Sequence, residues 1–328
     1  MDTAPGIHPP GIFNMAAHTL GPDPARPAGK IALIDARSDQ DHTAWTYGQL
    51  LRAVQGAMSG LSGCGVGPGD RVVLHLSNGA RFPILFFAAL GLGAVPVPTS
   101  AQLTHGELCA IVRQTAPKLT CLRSGARPVP GQILWERAAA RFDHMPARDF
   151  TATRSNDPGY IVFTSGTSGR PRGVLHAHSA GFARRMMWEG WYGLTSDDVM
   201  LHAGALNWTY TLGTGLTDPW AVGACAVVYT GAPDPGIWPK LIARHRATLF
   251  AAAPGLFRQM LKTAPDRAQF ASLRHGLSAG ETLPEPTLAQ WRKATGTDLH
   301  PALGMTEIST FVSGAPGRPA PQGSVGYP

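Results

Sequence analysis

Short apolar runs and longer amphipathic segments alternate along the chain. In the first half, the pattern predicts strands at residues 31–35, 71–76, 94–98 and 118–122 and helices at 46–61, 81–92 and 104–114. In the second half, it predicts strands at 199–203, 224–229, 248–253, 273–279 and 298–302 and helices at 178–190, 237–246, 254–262 and 284–295. Strands that alternate with helices through short connections form parallel crossovers. We therefore expect an α/β fold of two stacked subdomains with largely parallel sheets, at residues 1–156, with an irregular lead-in, and 157–328.

A glycine- and hydroxyl-rich loop follows a predicted strand at residues 160–163. It consists of Thr164, Ser165, Gly166, Thr167, Ser168 and Gly169. Glycine permits concave backbone in which successive N–H groups point at one anion, and Arg170 and Arg172 add positive charge at the exit. This combination predicts a polyphosphate-binding loop, with a plain surface turn as the alternative. It is not a Walker A loop, because no Gly-Lys-Ser/Thr follows the glycines.

Two further segments lie after predicted strands, where open parallel sheets bind their ligands. Ser278, Ala279, Gly280 and Glu281 put small residues at one strand end, although such junctions are often plain turns. The second segment runs from Leu303 to Glu307. Its Thr-Glu pair could supply a carboxylate for Mg²⁺, or could begin a helix with Thr306 as its cap.

Residues 203–213 fit either a core helix with a glycine-rich face or the wall of a pocket. His176 and His178 form an H-x-H pair without a third ligand nearby, so we interpret them as loop histidines at a helix start.

Composition excludes several classes of protein. The 28 basic residues give a net charge of +7 but are scattered, which argues against a nucleic-acid surface. The four cysteines show neither zinc spacing nor a disulfide framework. The most apolar run, residues 82–97, is shorter than the ~20 residues that span a bilayer. No secretory signal pattern opens the chain, so we expect a cytoplasmic protein without membrane partners.

The loop at residues 164–173 resembles the signature of the adenylate-forming enzymes, Thr-Ser-Gly-Thr-Thr/Ser-Gly-x-Pro-Lys-Gly, except that Arg172 replaces the lysine. That family includes acyl- and aryl-CoA synthetases, firefly luciferase and peptide-synthetase adenylation domains. The similarity extends from Thr46-Tyr47-Gly48 to the closing residues 323–328, and Leu303, where the family often has tyrosine, resembles the benzoate-CoA ligase branch. The resemblance implies the large N-terminal domain of such a ligase.

The resemblance also implies an activity and its residues. A carboxylate would attack ATP to give acyl-AMP and pyrophosphate, and coenzyme A would then take the acyl group. The implied catalytic residues are Thr164, Arg172, Thr306 and Glu307, and the implied Mg²⁺ ligands are Thr164 and Glu307. The implied ATP-binding residues are Thr164, Ser165, Gly166, Thr167, Ser168, Gly169, Arg172, Ser278, Ala279, Gly280, Glu281, Thr282, Leu303, Gly304, Met305 and Thr306.

The family's carboxylate pocket would lie in the segment at 203–213. It would be lined by Ala205, Asn207, Trp208, Tyr210, Ala279 and Gly304. Bulky aromatic walls favour a flat aromatic acid first and a short aliphatic acid second.

Family members continue into a small domain that carries a catalytic lysine, and its motifs are not found in this sequence. We therefore expect a large domain without its C-terminal part, and slow turnover. Two other functions stay open: an adenylation domain that loads a carrier protein, and a non-catalytic nucleotide-binding or interaction protein. Homodimer formation is also left open.

Overall fold

The structure is a computed structural model that describes residues 8–129, 144–164 and 171–328, together with the backbone of 132–134. Within these residues the strands are β1 Ile31–Ala36, β2 His42–Thr46, β3 Arg71–His75, β4 Val95–Pro98, β5 Leu119–Leu122, β6 Gln132–Leu134, β7 Pro158–Thr164, β8 Arg172–Ala177, β9 Val199–His202, β10 Cys225–Tyr229, β11 Leu249–Ala252, β12 His275–Ser278, β13 Asp298–Met305 and β14 Ser309–Ser313.

The helices are named in the same way. They are α1 Met15–Leu20, α2 Tyr47–Gly63, α3 Arg81–Gly91, α4 His105–Thr115, α5 Ala180–Ala183, α6 Arg185–Met187, α7 Thr209–Leu212, α8 Asp218–Val222, α9 Ile237–His245, α10 Pro254–Lys262 and α11 Glu285–Thr295. Two π-helical turns, Trp188–Tyr192 and Gly213–Thr217, and a 3₁₀ turn, Arg267–Phe270, complete the set. No described helix is long and apolar enough to cross a membrane.

The chain divides into two compact units. Unit 1 contains the described parts of Met1–Pro22, Gly48–Ser77 and Arg81–Ala183, and unit 2 contains Asp23–Tyr47, Asn78–Ala80 and Arg184–Pro328. This division differs from the expected boundary at residue 156. The reason is hydrogen bonding: β1 pairs in parallel with β10 and carries the early hairpin strand β2 into the sheet of unit 2, whereas the β7–β8 hairpin stays with unit 1.

Unit 1 has a four-stranded parallel sheet in the order β4-β3-β5-β6 and a separate antiparallel pair, β7–β8. Helix α3 is buried from Phe82 to Gly91, which explains why its apolar pattern surrounds the whole helix rather than one face. Helix α4 begins with a capping box, in which the hydroxyl of Thr104 accepts from the Glu107 N–H and the Glu107 carboxylate accepts from the Thr104 N–H.

Unit 2 is built on an eight-stranded sheet in the order β14-β13-β12-β11-β9-β10-β1-β2. The six inner strands from β13 to β1 pair in parallel, so their carboxyl ends share one edge. Side chains of consecutive residues in β9 pack on opposite faces of the sheet. Leu201 packs in a hydrophobic cluster with Phe257 and Trp291, and Met200 packs in a second cluster with Trp191. We call these the Trp291 core and the Trp191 core; they cover opposite faces of the sheet.

The predicted fold class and the inner strands of the large sheet are confirmed. The pattern missed the hairpin strands β2, β8 and β14 and the parallel strand β6. The helix predicted at 178–190 is present but broken: the chain forms α5, α6 and the π-helical turn Trp188–Tyr192 in place of one continuous helix. His178 lies in the turn just before α5, at a helix start as predicted, although it is buried, whereas His176 is a buried residue within β8 and stacks on Tyr160.

Two buried histidines lead us to expect that acid destabilises the fold. Burial lowers the pKa of His178 to about 4, and burial together with a smaller electrostatic effect of His300 lowers that of His275 to about 4. Since the pKa of an unfolded histidine is about 6.5, the unfolded chain binds more protons between these values. The contribution of these histidines to the free energy of unfolding should therefore be at its full value above about pH 6.5. It should decrease as the pH drops toward 4. Denaturant titrations at pH 7.5, 6 and 5 measure this directly.

The control is a pair of variants. His178 Nδ1 accepts a hydrogen bond from the N–H of Met15 at 3.1 Å, which an asparagine oxygen can also accept. His178→Asn should flatten the pH dependence, while the same change at exposed His8 should leave it unaltered. Equal slopes for both variants would contradict the assignment.

Candidate functional site

The ends of the phosphate-loop segment are held opposite each other in unit 1. Thr164 ends β7, Arg172 begins β8, and the two residues pair across the antiparallel ladder. Thr164 is half-buried and Arg172 is exposed. The loop is thus the connection of a β-hairpin. Ser165, Gly166, Thr167, Ser168, Gly169 and Arg170 lie outside the described residues.

The segment after β12 lies at the carboxyl edge of the large sheet. Ser278 ends the strand, and its Oγ is buried without a hydrogen-bond partner among the described residues. Ala279 packs in the Trp191 core. Gly280 has φ of +100° and open space where a side chain would be, so glycine is required here by backbone conformation. Glu281 and Thr282 are exposed in the loop that follows.

The second strand-end segment is a hairpin rather than a helix start. Leu303, Gly304 and Met305 form the end of β13, which is three residues longer than predicted. Thr306 and Glu307 lie in the turn between β13 and β14, and Glu307 is exposed. The alternative of a helix N-terminus at Thr306 is therefore wrong. The carboxylate of Glu307 is therefore exposed to solvent at the tip of the β13–β14 hairpin.

Close backbone approach fixes the shape of this hairpin. A Cβ at Gly304 would lie 2.8 Å from the carbonyl oxygen of Ser309 across the ladder. The register shifts between Leu303 and Gly304, with Gly304 opposite Thr310 and Leu303 opposite Val312, so Phe311 is the extra residue of a bulge. Ser309 itself has φ of +62°, in the left-handed region.

Tyr210 provides an aromatic wall in unit 2. Its hydroxyl donates to the carbonyl of Leu277 at 3.1 Å, and burial raises the pKa of that hydroxyl above its usual value. The ring stacks on Trp191 at a centroid distance of 5.8 Å and meets the ring of His202 edge-on at 4.4 Å. Tyr210 and Ala279 pack in the same Trp191 core, so the structure brings these two predicted residues together.

The loop between β9 and α7 is held by a residue distant in sequence. Asn78 donates from Nδ2 to the carbonyl of Gly204 at 3.0 Å and accepts from the N–H of Leu206 at 3.1 Å. Within this loop Ala205 is exposed and Asn207 is half-buried. Trp208 is 63% exposed, so its ring lies in solvent rather than in a buried slot.

His202 is a residue that the sequence analysis did not select. It ends β9 and is buried, and its Nδ1 accepts from the N–H of Gly204 at 3.0 Å. Burial, with a smaller effect from the charge of Arg184, lowers the pKa of His202 to about 3. The ring is therefore neutral with its proton on Nε2, an atom that has no partner among the residues described. Its position between a strand end and the predicted pocket segment was the available signal.

A buried ion pair lies beside this wall. Arg184 donates from Nε to both oxygens of Asp218 at 2.9 and 3.0 Å, and the hydroxyl of Tyr192 donates to Asp218 Oδ2 at 2.9 Å. Both charged side chains are almost completely buried. Burial and the negative charge of Asp218 raise the pKa of Tyr192 well above its ordinary value. Tyr192 ends one π-helical turn, and its hydroxyl also contacts Thr214 in the other turn at 2.9 Å.

The candidate residues are distributed over both units. Thr164 and Arg172 belong to unit 1, and the other described candidates belong to unit 2. The two expected metal ligands therefore belong to different units: Thr164 lies in unit 1 and Glu307 in unit 2. No group of three or more metal-ligating side chains occurs in the part of the chain that the structure describes. The exposed carboxylate of Glu307 by itself is a ligand type that suits Mg²⁺, which binds through one or two carboxylates together with substrate phosphates and water.

Comparison with known proteins places this chain in a family. The family model described as "AMP-binding enzyme" matches residues 23–328. A 3-hydroxybenzoate–CoA ligase of Aromatoleum sp. (strain CIB) is 28% identical over 97% of this chain and 64% of that protein. A 4-hydroxybenzoate–CoA/benzoate–CoA ligase of Rhodopseudomonas palustris is 32% identical over 85% of this chain and 55% of that protein. The chain thus spans less than two thirds of the length of these two relatives.

Two solved structures of CoA ligases are also similar to this chain. The anthranilate CoA ligase AuaEII in complex with anthranoyl-AMP has a TM-score of 0.87 and 26% identity, covering 97% of this chain and 65% of that one. A benzoate CoA ligase from Burkholderia xenovorans LB400 has a TM-score of 0.83 and 27% identity, covering 96% of this chain and 66% of that one. The match over residues 23–328 shows that this chain belongs to the AMP-binding enzyme family of adenylate-forming enzymes.

Proposed function

We propose that this chain binds ATP and an aromatic carboxylic acid and supports their conversion to an aryl-AMP, as part of an AMP-forming aryl-CoA ligase. In the first reaction, a carboxylate oxygen would bond to the α-phosphorus of ATP while the bond to pyrophosphate breaks. In the second, the thiol of coenzyme A would lose its proton and bond to the acyl carbon, releasing AMP. The aromatic wall beside Ala279 is the observation that carries the choice of substrate.

The phosphates are assigned to the β7–β8 hairpin. The Thr164–Arg172 pair supports this assignment because it puts a hydroxyl and a guanidinium at the two ends of a glycine-rich connection. Ser165, Gly166, Thr167, Ser168 and Gly169 would contribute backbone N–H groups and hydroxyls, as their residue types suggest. Bringing two anions together is the main physical obstacle in this reaction, so positive charge at the loop would carry much of the catalysis.

The nucleotide is assigned to the strand ends of unit 2. Ala279, Gly280, Glu281 and Thr282 would line the adenine, and the open space at Gly280 suits the close approach of a flat ring. Ser278 Oγ, buried without a partner among the described residues, is available for a hydrogen bond. Leu303, Gly304, Met305 and Thr306 would lie on the other side of the nucleotide. Glu307 would offer its carboxylate, and Thr164 its hydroxyl, as ligand types for Mg²⁺, which would supply charge neutralisation for the phosphates when bound.

The acid is assigned to the wall formed by Tyr210 and Ala279, with Gly304 as a further assigned contact. The stack of Tyr210 on Trp191 supports an aromatic rather than a long aliphatic acid, because a flat ring can extend an existing aromatic cluster. Asn207 and Ala205 would contact the acid from the loop. His202 lies on the same wall and offers an N–H that has no hydrogen-bond partner among the described residues.

Carboxylate-dependent exchange of labelled pyrophosphate into ATP tests the proposal. We expect exchange with benzoate, 3-hydroxybenzoate and 2-aminobenzoate, and less with acetate or hexanoate. Calorimetric titration with benzoyl sulfamoyl adenosine, a stable mimic of the aryl-AMP, measures binding without turnover. Aliphatic acids exceeding aryl acids in both measurements would overturn the substrate class, and the absence of both binding and exchange would overturn the function.

A second prediction concerns Arg172. Replacing it with alanine should weaken Mg·ATP binding about tenfold, since a charge-assisted bond to phosphate is lost. Arg172→Lys should keep most of the affinity, because the charge stays at the same position. Arg113→Ala on helix α4, also an exposed arginine of unit 1, is the matched control. Equal affinities for all three variants would exclude Arg172 from the phosphate site.

A third prediction concerns Tyr210. Tyr210→Leu should weaken binding of benzoyl sulfamoyl adenosine about tenfold through loss of the aromatic wall, and leave Mg·ATP binding unchanged. Tyr210→Phe keeps the ring and should change the affinity less. Trp208→Leu alters a mostly exposed ring and is expected to have the smallest effect. A larger loss from Trp208→Leu than from Tyr210→Leu would show that the acid binds elsewhere.

A further inference from the structure

We propose that Arg184 and Ser309 act as a positioning pair that fixes the turn carrying Thr306 and Glu307. The inference rests on the proposed function for the role of Glu307 toward Mg·ATP. The pair itself is defined by contacts within unit 2. It links the buried ion pair of the Trp191 core to the exposed tip of the β13–β14 hairpin.

The guanidinium of Arg184 is fixed before it reaches the hairpin. Its Nε and Nη2 donate to Asp218, and Nη2 also donates to the hydroxyl of Tyr192 at 2.9 Å. Asp218 begins α8 and is fully buried, so the carboxylate has little freedom to move. The remaining nitrogen, Nη1, donates to Ser309 Oγ. Because the guanidinium is planar, orienting Nε and Nη2 also orients Nη1.

Ser309 is the residue at which the hairpin returns from its tip. It pairs with Met305 across the ladder, and only Thr306, Glu307 and Ile308 lie between them. Its φ of +62° is a conformation that a serine rarely adopts without support. Gly304, whose missing Cβ leaves room for the Ser309 carbonyl, gives that support from one side. The hydrogen bond from Arg184 gives it from the other.

The consequence is a three-residue turn with both ends fixed. A short turn between fixed ends has few backbone conformations, so the direction of the Glu307 carboxylate follows from the conformation of Ser309. A released Ser309 can relax toward the β region, which would move the carboxylate without unfolding the sheet. The pair thus controls orientation through the backbone and need not touch the ligand.

The test uses substitutions at Ser309, because removing Arg184 would leave Asp218 buried and uncompensated. Ser309→Ala removes the hydroxyl. Ser309→Gly also removes it but adopts the left-handed conformation freely. Ser309→Asn tolerates that conformation and offers an oxygen to Arg184, so it should restore the wild-type behaviour. Ser313→Ala is the matched control, since the Ser313 hydroxyl donates to the Gly190 carbonyl from the other end of β14.

Two readouts separate positioning from mere stability. In pyrophosphate exchange, Ser309→Ala and Ser309→Gly should raise the Mg²⁺ concentration for half-maximal rate about tenfold, with an unchanged KM for the acid. Hydrogen–deuterium exchange of the unliganded protein should be faster in residues 304–310 in both variants and unchanged at β11. Ser313→Ala and Ser309→Asn should resemble the wild type in both measurements.

The outcomes distinguish this inference from the proposed function. A Ser309→Gly variant with wild-type Mg²⁺ dependence and wild-type hydrogen exchange would overturn the pair. Uniform destabilisation with equal changes in every KM would overturn it as well, since that is the pattern of a structural role. If the wild type exchanges no pyrophosphate, the proposed function fails, and faster hydrogen exchange at 304–310 in Ser309→Ala but not in Ser313→Ala still decides whether the pair holds the turn.

Discussion

The burial of the Asp218 carboxylate constrains much of unit 2. Removing a carboxylate from water costs several kcal/mol unless charge and hydrogen bonds compensate it. Here the compensation comes from Arg184 and from the hydroxyl of Tyr192. Arg184 packs so closely on Gly213 that any Cβ there would overlap the guanidinium. The contacts that compensate this charge also join the two π-helical turns, an irregular geometry that is frequent at functional sites, because the Tyr192 hydroxyl bonds both Asp218 and Thr214.

The sequence predicted those elements whose stability depends on their own apolar pattern. Inner strands such as β10 and β11 are almost entirely buried, and their apolar runs were sufficient. The missed hairpin strands β2, β8 and β14 are only partly buried, so their sequences show little apolar periodicity. These strands are defined by their pairing with neighbouring strands. The region 178–190 is helical as predicted but is broken into α5, α6 and a π-helical turn. Arg184, which forms the buried ion pair with Asp218, lies at the break between α5 and α6, a contact that the sequence pattern does not show.

The candidate site divides in the same way. Thr164, Ser278 and Glu307 were identified because each lies in a short sequence motif whose residue types and spacing indicate a function. His202 and Asn78 were not selected, since an isolated histidine or asparagine has no motif. Asn78 holds the Gly204 carbonyl from 126 residues away. A residue that acts through a contact of this range becomes visible only when the fold brings its partner into reach.

The hairpin gives the Glu307 carboxylate a different electrostatic environment from that of a helix N-terminus. At a helix N-terminus, the positive end of the dipole would already stabilise the carboxylate and would compete with a cation for it. At the tip of a hairpin no such dipole acts, so the exposed charge of Glu307 is available to a divalent ion. A hairpin tip would ordinarily be mobile. The bulge at Phe311, the close approach at Gly304 and the left-handed Ser309 bonded to Arg184 restrict it, which combines an exposed charge with a fixed direction.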